Sequence, residues 1–210
     1  MASLFRNNRY HTLIQHGRLP LSMVVGSLLF FLVAGSRSHW ESQPFIETSL
    51  FVSGCLLVGI ASLGRLWCSL YIAGYKSDRI VTVGPYSLCR NPLYFFSFIG
   101  LIGCGLATET LTIPLLVVLF FAVYYPLVIH DEECELRLLH GEVLDAYLAS
   151  TPAFFPKFSL FSEPREYVVH PRIFRKHLFD NLWFIWIVGI LELVEGVKEI
   201  VAFPGFFELY

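Results

Sequence analysis

Four apolar runs, at 19–35, 48–72, 92–107 and 113–129, alternate with polar segments, and each has roughly the length of one bilayer crossing. The shorter runs need flanking residues or locally thinned lipid to complete a span. Inside hydrocarbon the backbone must satisfy its own hydrogen bonds, so all four predict α-helices. The last two are joined only by Thr108-Glu109-Thr110-Leu111-Thr112, which forces an antiparallel hairpin. A fifth stretch, 178–194, holds an uninterrupted apolar run only at 182–191, with Asp180 and Asn181 before it and Glu192, Glu195, Lys198 and Glu199 after it. That length suits an interfacial or partly embedded helix, with a fifth crossing as the alternative. Residues 162–171 read as a linker.

The expected fold is therefore an all-α integral membrane protein. It has a four-helix transmembrane core with a helical hairpin, a cytoplasmic helical extension, and a C-terminal interfacial or fifth membrane helix. The parts are an N-terminal cytoplasmic segment at 1–18, a membrane domain at 19–157, and a linker with a membrane-associated helix at 158–210.

Charge supplies the orientation. Lysines and arginines number three in 1–18, one in 36–47, three in 73–91, none in 108–112 and six in 130–177. This alternation puts both ends of the four-helix core on the cytoplasmic side of a bacterial inner membrane or endoplasmic reticulum. Ala34-Gly35-Ser36 could end a cleaved leader, but an 18-residue lead-in is long for one, so the first run is read as a retained crossing.

With 55% hydrophobic and 15% charged residues the chain is too apolar for an ordinary soluble domain. A formal charge of −2 and the lack of a basic run exclude a nucleic-acid binder of the usual kind. The five cysteines form no CxxC pair and read as buried small hydrophobes, and no histidine pattern predicts a metal site.

The candidate chemistry lies at two places. Gly84-Pro85-Tyr86 and Arg90-Asn91-Pro92-Leu93-Tyr94 precede the third run, and Asp131-Glu132-Glu133 follows the fourth. Arg90 and Glu132 are 42 positions apart, about one hairpin through a bilayer, so both clusters reach the same membrane face. Each also has a plain reading. Asn91-Pro92 is a normal helix start, Arg90 an ordinary flanking cation, and the acidic run a solvated helix extension. Arg65 interrupts the second run and is either a functional intramembrane arginine or one that snorkels to the surface. Gly100, Gly103 and Gly105 predict close helix packing, since no strand precedes them as a dinucleotide loop requires.

Taken together the order is Gly-x-Tyr, Arg-x-Pro-x-Tyr, a short hairpin, Glu-Glu, then Gly141-Glu142 with Tyr147, Pro152 and Pro156. This resembles the isoprenylcysteine carboxyl methyltransferase family and its phospholipid N-methyltransferase relatives, from about Arg65 to Pro156. The resemblance implies S-adenosyl-L-methionine held between helices at the cytoplasmic side. It implies cofactor contacts at Ile80, Val81, Tyr86, Asn91, Pro92, Leu93, Tyr94, Glu132 and Glu133, and Arg90 as the catalytic residue beside the reacting groups. The implied partner is a lipophilic small molecule, a lipid or a prenylated substrate, met in membrane lipid. Two residues depart from the pattern. Asn91 stands where the family has His, and Phe96 stands where it has Gly, threatening to fill the cofactor's space.

A carboxylate acceptor needs no general base, and no His–carboxylate pair lies within the motifs, which favours carboxyl O-methylation. Two alternatives are an NADPH-dependent membrane reductase and a non-catalytic subunit of the same fold with Phe96 closing the pocket.

Overall fold

The structure, a computed structural model, describes residues 20–75 and 79–210. The N-terminal arginines Arg6, Arg9 and Arg18, the first residue of the first apolar run, and Lys76 lie outside the described residues. Helix α1 (Pro20–Gly35) leads into strand β1 (Ser36–Ser38), a 3-10 turn and helix α2 (Pro44–Ile72). A four-residue helix α3 (Pro85–Leu88) and helix α4 (Pro92–Leu106) follow. Next come α5 (Thr112–His140), α6 (Glu142–Ser150), α7 (Pro171–Val201) and strand β2 (Phe207–Leu209).

Local sequence explains the boundaries. Proline opens α2, α3, α4 and α7, where its missing N–H costs no helical bond. Gly141, at φ +50°, separates α5 from α6, and its N–H closes on the Arg137 carbonyl at 3.0 Å. The acidic run belongs to α5 itself, which continues unbroken through Glu132 and Glu133 to His140.

By length and composition α2 and α5 can cross a bilayer, while α1 and α4 are shorter apolar helices. Large side chains such as Phe31, Leu56, Leu63, Leu119 and Val123 face outward, as lipid-facing positions do. The buried faces are cut for close approach. An added Cβ on Gly54 would lie 2.6 Å from the Gly103 carbonyl oxygen, and one on Gly103 would lie 2.8 Å from that of Gly54. Backbone meets backbone where α2 crosses α4, and side chains are excluded. The expected packing role of Gly103 is therefore realised, with Gly100 seating Phe184 and Gly105 seating Pro114.

Helix α7 is 31 residues long and is not among the described helices that are long and apolar enough to cross a bilayer. It runs along α2 and α4, with Phe184 fully buried among Val58, Ala61 and Cys104. Asn181 and Ser69 exchange buried hydrogen bonds at 2.8 and 3.0 Å. Just before α7 the chain meets the end of α2, where His170 lies over Gly74 and Tyr75 donates to the Val168 carbonyl at 2.9 Å. Just after α7 it meets β1, where Arg37 Nε donates to the Phe203 carbonyl at 2.7 Å. The helix thus covers the same height as α2.

The all-α expectation also misses one small sheet. Strands β1 and β2 pair in parallel, Ser36 with Phe207 and Ser38 with Leu209. Three-residue strands carry too little periodicity to be seen in sequence. The Tyr210 carbonyl then accepts from the Leu111 and Thr112 N–H groups at 2.6 Å each, stitching the α4–α5 turn to the same end.

Candidate active site

The two motif clusters meet. Tyr94, in the first turn of α4, donates its hydroxyl to Glu132 Oε1 of α5 at 2.7 Å. Arg90 Nη2 lies 3.2 Å from Glu133 Oε1, with both side chains mostly buried. Arg90 Nη1 also donates to the Leu148 carbonyl at 3.3 Å, and its backbone N–H to the Pro152 carbonyl at 2.9 Å. Arg90 therefore ties the start of α4 to α5, α6 and the segment beyond.

The Gly-x-Tyr segment is built to press inward. Gly84 has φ +61°, and a Cβ there would lie 2.5 Å from the Tyr71 ring, so conformation and space both demand glycine. Ser87 donates to the Gly84 carbonyl at 2.7 Å, and its hydroxyl accepts from the Ser162 N–H at 3.0 Å. This turn drives Tyr86 into a core with Cys68, Tyr71 and Val81, against which Leu93 and Phe96 also pack. Burial pushes the Tyr86 hydroxyl well above its ordinary value, keeping it a neutral donor. Burial likewise pushes the Cys89 thiol up to about 12, so it is no thiolate nucleophile at neutral pH.

Three buried polar atoms here make no hydrogen bond within the described protein: Glu133 Oε1, which has only its ion pair with Arg90 Nη2, and the Tyr86 hydroxyl and Arg90 Nε, which have no partner. Buried polar groups are normally satisfied, so the last two are where a polar ligand would be received. A cleft of about 390 Å³ is lined by Ile80, Val81, Tyr75, Arg79, Glu166 and Tyr167, and Tyr86, Arg90, Tyr94 and Glu132 do not line it. Its size is that of small-molecule sites in general. Arg79 stacks over the Tyr75 ring at 3.7 Å and donates to the Tyr167 hydroxyl at 3.1 Å.

The residues singled out from sequence divide accordingly. Val81, Tyr86 and Leu93 share one core cluster, Ile80 and Val81 line the cleft, and Tyr94, Glu132, Arg90 and Glu133 pair across α4 and α5. Pro92 is fully buried at the start of α4. Asn91 occupies the N-cap position, but its side chain makes no capping bond and instead donates to the Ala153 carbonyl at 2.9 Å. Its amide is spent on the chain that wraps the site.

Phe96 does not block the side of α4 that faces α5. Its ring lies directly over Gly64 of α2, where an added Cβ would be 2.1 Å away. Two residues on a helix are about 200° apart, so Phe96 points away from the face that carries Tyr94. The loss of a glycine on α4 is matched by a glycine on α2.

Several residues carried no role in the sequence reading. Tyr147 donates to the Tyr86 carbonyl at 2.6 Å, and Tyr167, in the expected linker, donates to the Tyr71 carbonyl at 2.7 Å. The Gly84 N–H reaches the Ser162 carbonyl at 2.8 Å, so residues 162–168 form part of the cleft wall. The sequence signal was present only as isolated tyrosines in a polar stretch. Among the described residues no three His, Cys, Asp or Glu side chains gather as metal ligands.

Residues 48–142 match the phospholipid methyltransferase family, a span that contains both motif clusters. The chain is 41% identical over 189 residues to the nickel-cobalt-cadmium resistance protein NccN of Alcaligenes xylosoxydans xylosoxydans, covering 90% of this chain and 88% of that one. It is 38% identical over 175 residues to the cobalt-zinc-cadmium resistance protein CzcN of Cupriavidus metallidurans, covering 83% and 78%. No solved structure matches it.

Proposed function

Because the chain belongs to the phospholipid methyltransferase family, within the wider group of membrane methyltransferases, we propose that it transfers a methyl group from S-adenosyl-L-methionine to a lipophilic acceptor. The observation that carries this reading is the meeting of the two clusters through Tyr94–Glu132 and Arg90–Glu133. The proposed setting is a multi-pass bundle, α1, α2, α4 and α5 with α7 alongside, whose motif end faces the cytoplasm.

The residues present fit such a donor. When bound, S-adenosyl-L-methionine supplies an activated methyl group on a positively charged sulfur. The Ile80–Val81 cleft, walled by Tyr75 and Tyr167, suits the adenine and ribose. The Tyr86 hydroxyl would gain the partner it lacks. Glu132, already aligned by Tyr94, suits a hydroxyl or ammonium group. Tyr94 and Tyr125, with ring centroids 5.2 Å apart, present aromatic surface to a cation. Leu93, Pro92 and Asn91 hold α4 at the height at which Tyr94 works, and Glu133 holds Arg90.

Arg90 is assigned the acceptor. Its buried, unpartnered Nε–H would orient a carboxylate by charge-assisted hydrogen bonds. Methylation of a carboxylate oxygen moves no proton, so the residues' task is to align the partners and exclude water. The acceptor's apolar tail would lie in lipid between helices. The relatives are named for metal resistance, and the proposal places any such role of this chain in chemistry on a membrane-borne group.

The decisive experiment is a thermal-unfolding screen in detergent with S-adenosylmethionine, S-adenosylhomocysteine and NADPH, followed by tritiated methyl transfer into extracted membrane lipids. Stabilisation by the first two and label in the lipid fraction are expected. Stabilisation by NADPH alone would establish the reductase instead, and no stabilisation at all would leave a non-catalytic subunit.

A further inference from the structure

Arg65 lies in α2, seven residues before its end, and is partly buried. Nη1 donates to Ser97 Oγ of α4, and Nη2 donates to the Asp180 carbonyl of α7 at 3.1 Å. The guanidinium stands 5.6 Å from the Phe184 ring centroid. The Asp180 carboxylate is exposed and turned to His177 at 3.3 Å. Among the described residues no carboxylate lies within 4 Å of Arg65, and its Nε is buried without a partner. A cation held at membrane depth with no carboxylate in direct contact is costly, and a structure that keeps one has a use for an anion there.

The surroundings point the same way. Cys68, Tyr125, Asp180 and Tyr86 lie within electrostatic reach of Arg65, Asp180 being the one carboxylate among them. Tyr86 is 6% exposed, and its hydroxyl is the second unpartnered donor of the region. Tyr125 also packs against Tyr94, the partner of Glu132. On α4, Ser97 follows Tyr94 by three residues, so Arg65 sits about one helical turn below the motif rim on the membrane side.

We infer that Arg65, positioned by Ser97 (whose own hydroxyl donates to the Leu93 carbonyl at 2.7 Å), forms with Tyr86 an anion-binding subsite that holds a phosphate or carboxylate lying between the apolar tail of the acceptor and its reacting end. This rests on the methyltransferase reading for its place in the reaction, but the anion site is testable by itself. The acceptor selected is one with a negative group nearer its tail than the group that meets Arg90.

The test uses the full chain in detergent with three ligands of one tail, oleate, oleyl phosphate and oleyl alcohol, read by thermal unfolding over a concentration series. S-adenosylmethionine binding is measured in parallel by calorimetry. The wild type should bind at least one of the two anions about tenfold more tightly than the alcohol. Which anion wins separates the carboxylate source from the phosphate. Arg65→Gln should remove that preference. Should that variant fail to fold, Ser97→Asp answers the same question, because it supplies an internal counter-charge and should also abolish the preference. Equal binding of all three ligands by the wild type, or an anion preference surviving in Arg65→Gln or Ser97→Asp, overturns the subsite. Failure of the wild type to bind S-adenosylmethionine would instead remove the methyltransferase reading and leave the anion result standing.

Discussion

At the motif end of the bundle the carboxylates have partners of opposite character. Glu133 faces Arg90 at 3.2 Å, and Glu132 accepts from Tyr94 at 2.7 Å. At the other end Glu109, in the α4–α5 turn, faces Glu47 of α2 and Glu192 and Glu195 of α7, with Lys198 bound to Glu195 at 2.8 Å. Burial first, and then the charge of Glu47, push the Glu109 carboxyl up to about 7. One end thus answers negative charge with arginine and hydroxyl donors that a ligand can share. The other answers it with Lys198 and with a Glu109 carboxyl that holds its proton to higher pH. The difference separates a recognition surface from a clasp, although both are clusters of glutamates near helix ends.

The most severe way to break this contrast is Arg90→Ala. Methyl transfer should fall at least about a hundredfold, because the acceptor loses its alignment, while calorimetry still detects S-adenosylmethionine. Turnover near the wild-type rate would remove Arg90 from the chemistry. Glu132→Ala is the next step down. Its expected effect is about tenfold weaker cofactor binding, the scale of one hydrogen bond to a charged group. Unchanged calorimetric affinity would take Glu132 out of the pocket.

The smallest expected effect belongs to the clasp. A carboxyl raised in the folded state binds its proton more tightly there than in the unfolded chain. Its contribution to stability is present at low pH and is lost as pH rises through about 7. The thermal midpoint should therefore drop by a few degrees between pH 5 and pH 8, and Glu109→Gln should flatten that slope without altering methyl transfer. A slope unchanged by the substitution would place the titration elsewhere.

Much of this was readable in the sequence where a single residue type fixes a local outcome. Pro92 marked the start of α4, the five-residue connection fixed the hairpin, and the 42-residue interval brought Arg90 to the height of the Glu132 turn, whereas the starts at Pro44, Pro85 and Pro171 were missed. The placement of α7 was not readable. Its apolar run is short because Asn181 stands at its edge, and only the fold supplies Ser69 to satisfy that amide. The packing partner of Phe96 was hidden for a similar reason. Whether a large side chain blocks a pocket or fills an interface depends on what the neighbouring helix offers, and Gly64 lies 32 positions away. Residues 162–168 were hidden because their hold on Gly84 and Ser87 runs largely through backbone groups, which every sequence has.

The contact between Arg65 and the Asp180 carbonyl spans 115 positions and has a consequence for biosynthesis. The backbone oxygen that receives Nη2 is made long after the guanidinium, so a chain stopped before residue 180 would leave Arg65 without that acceptor.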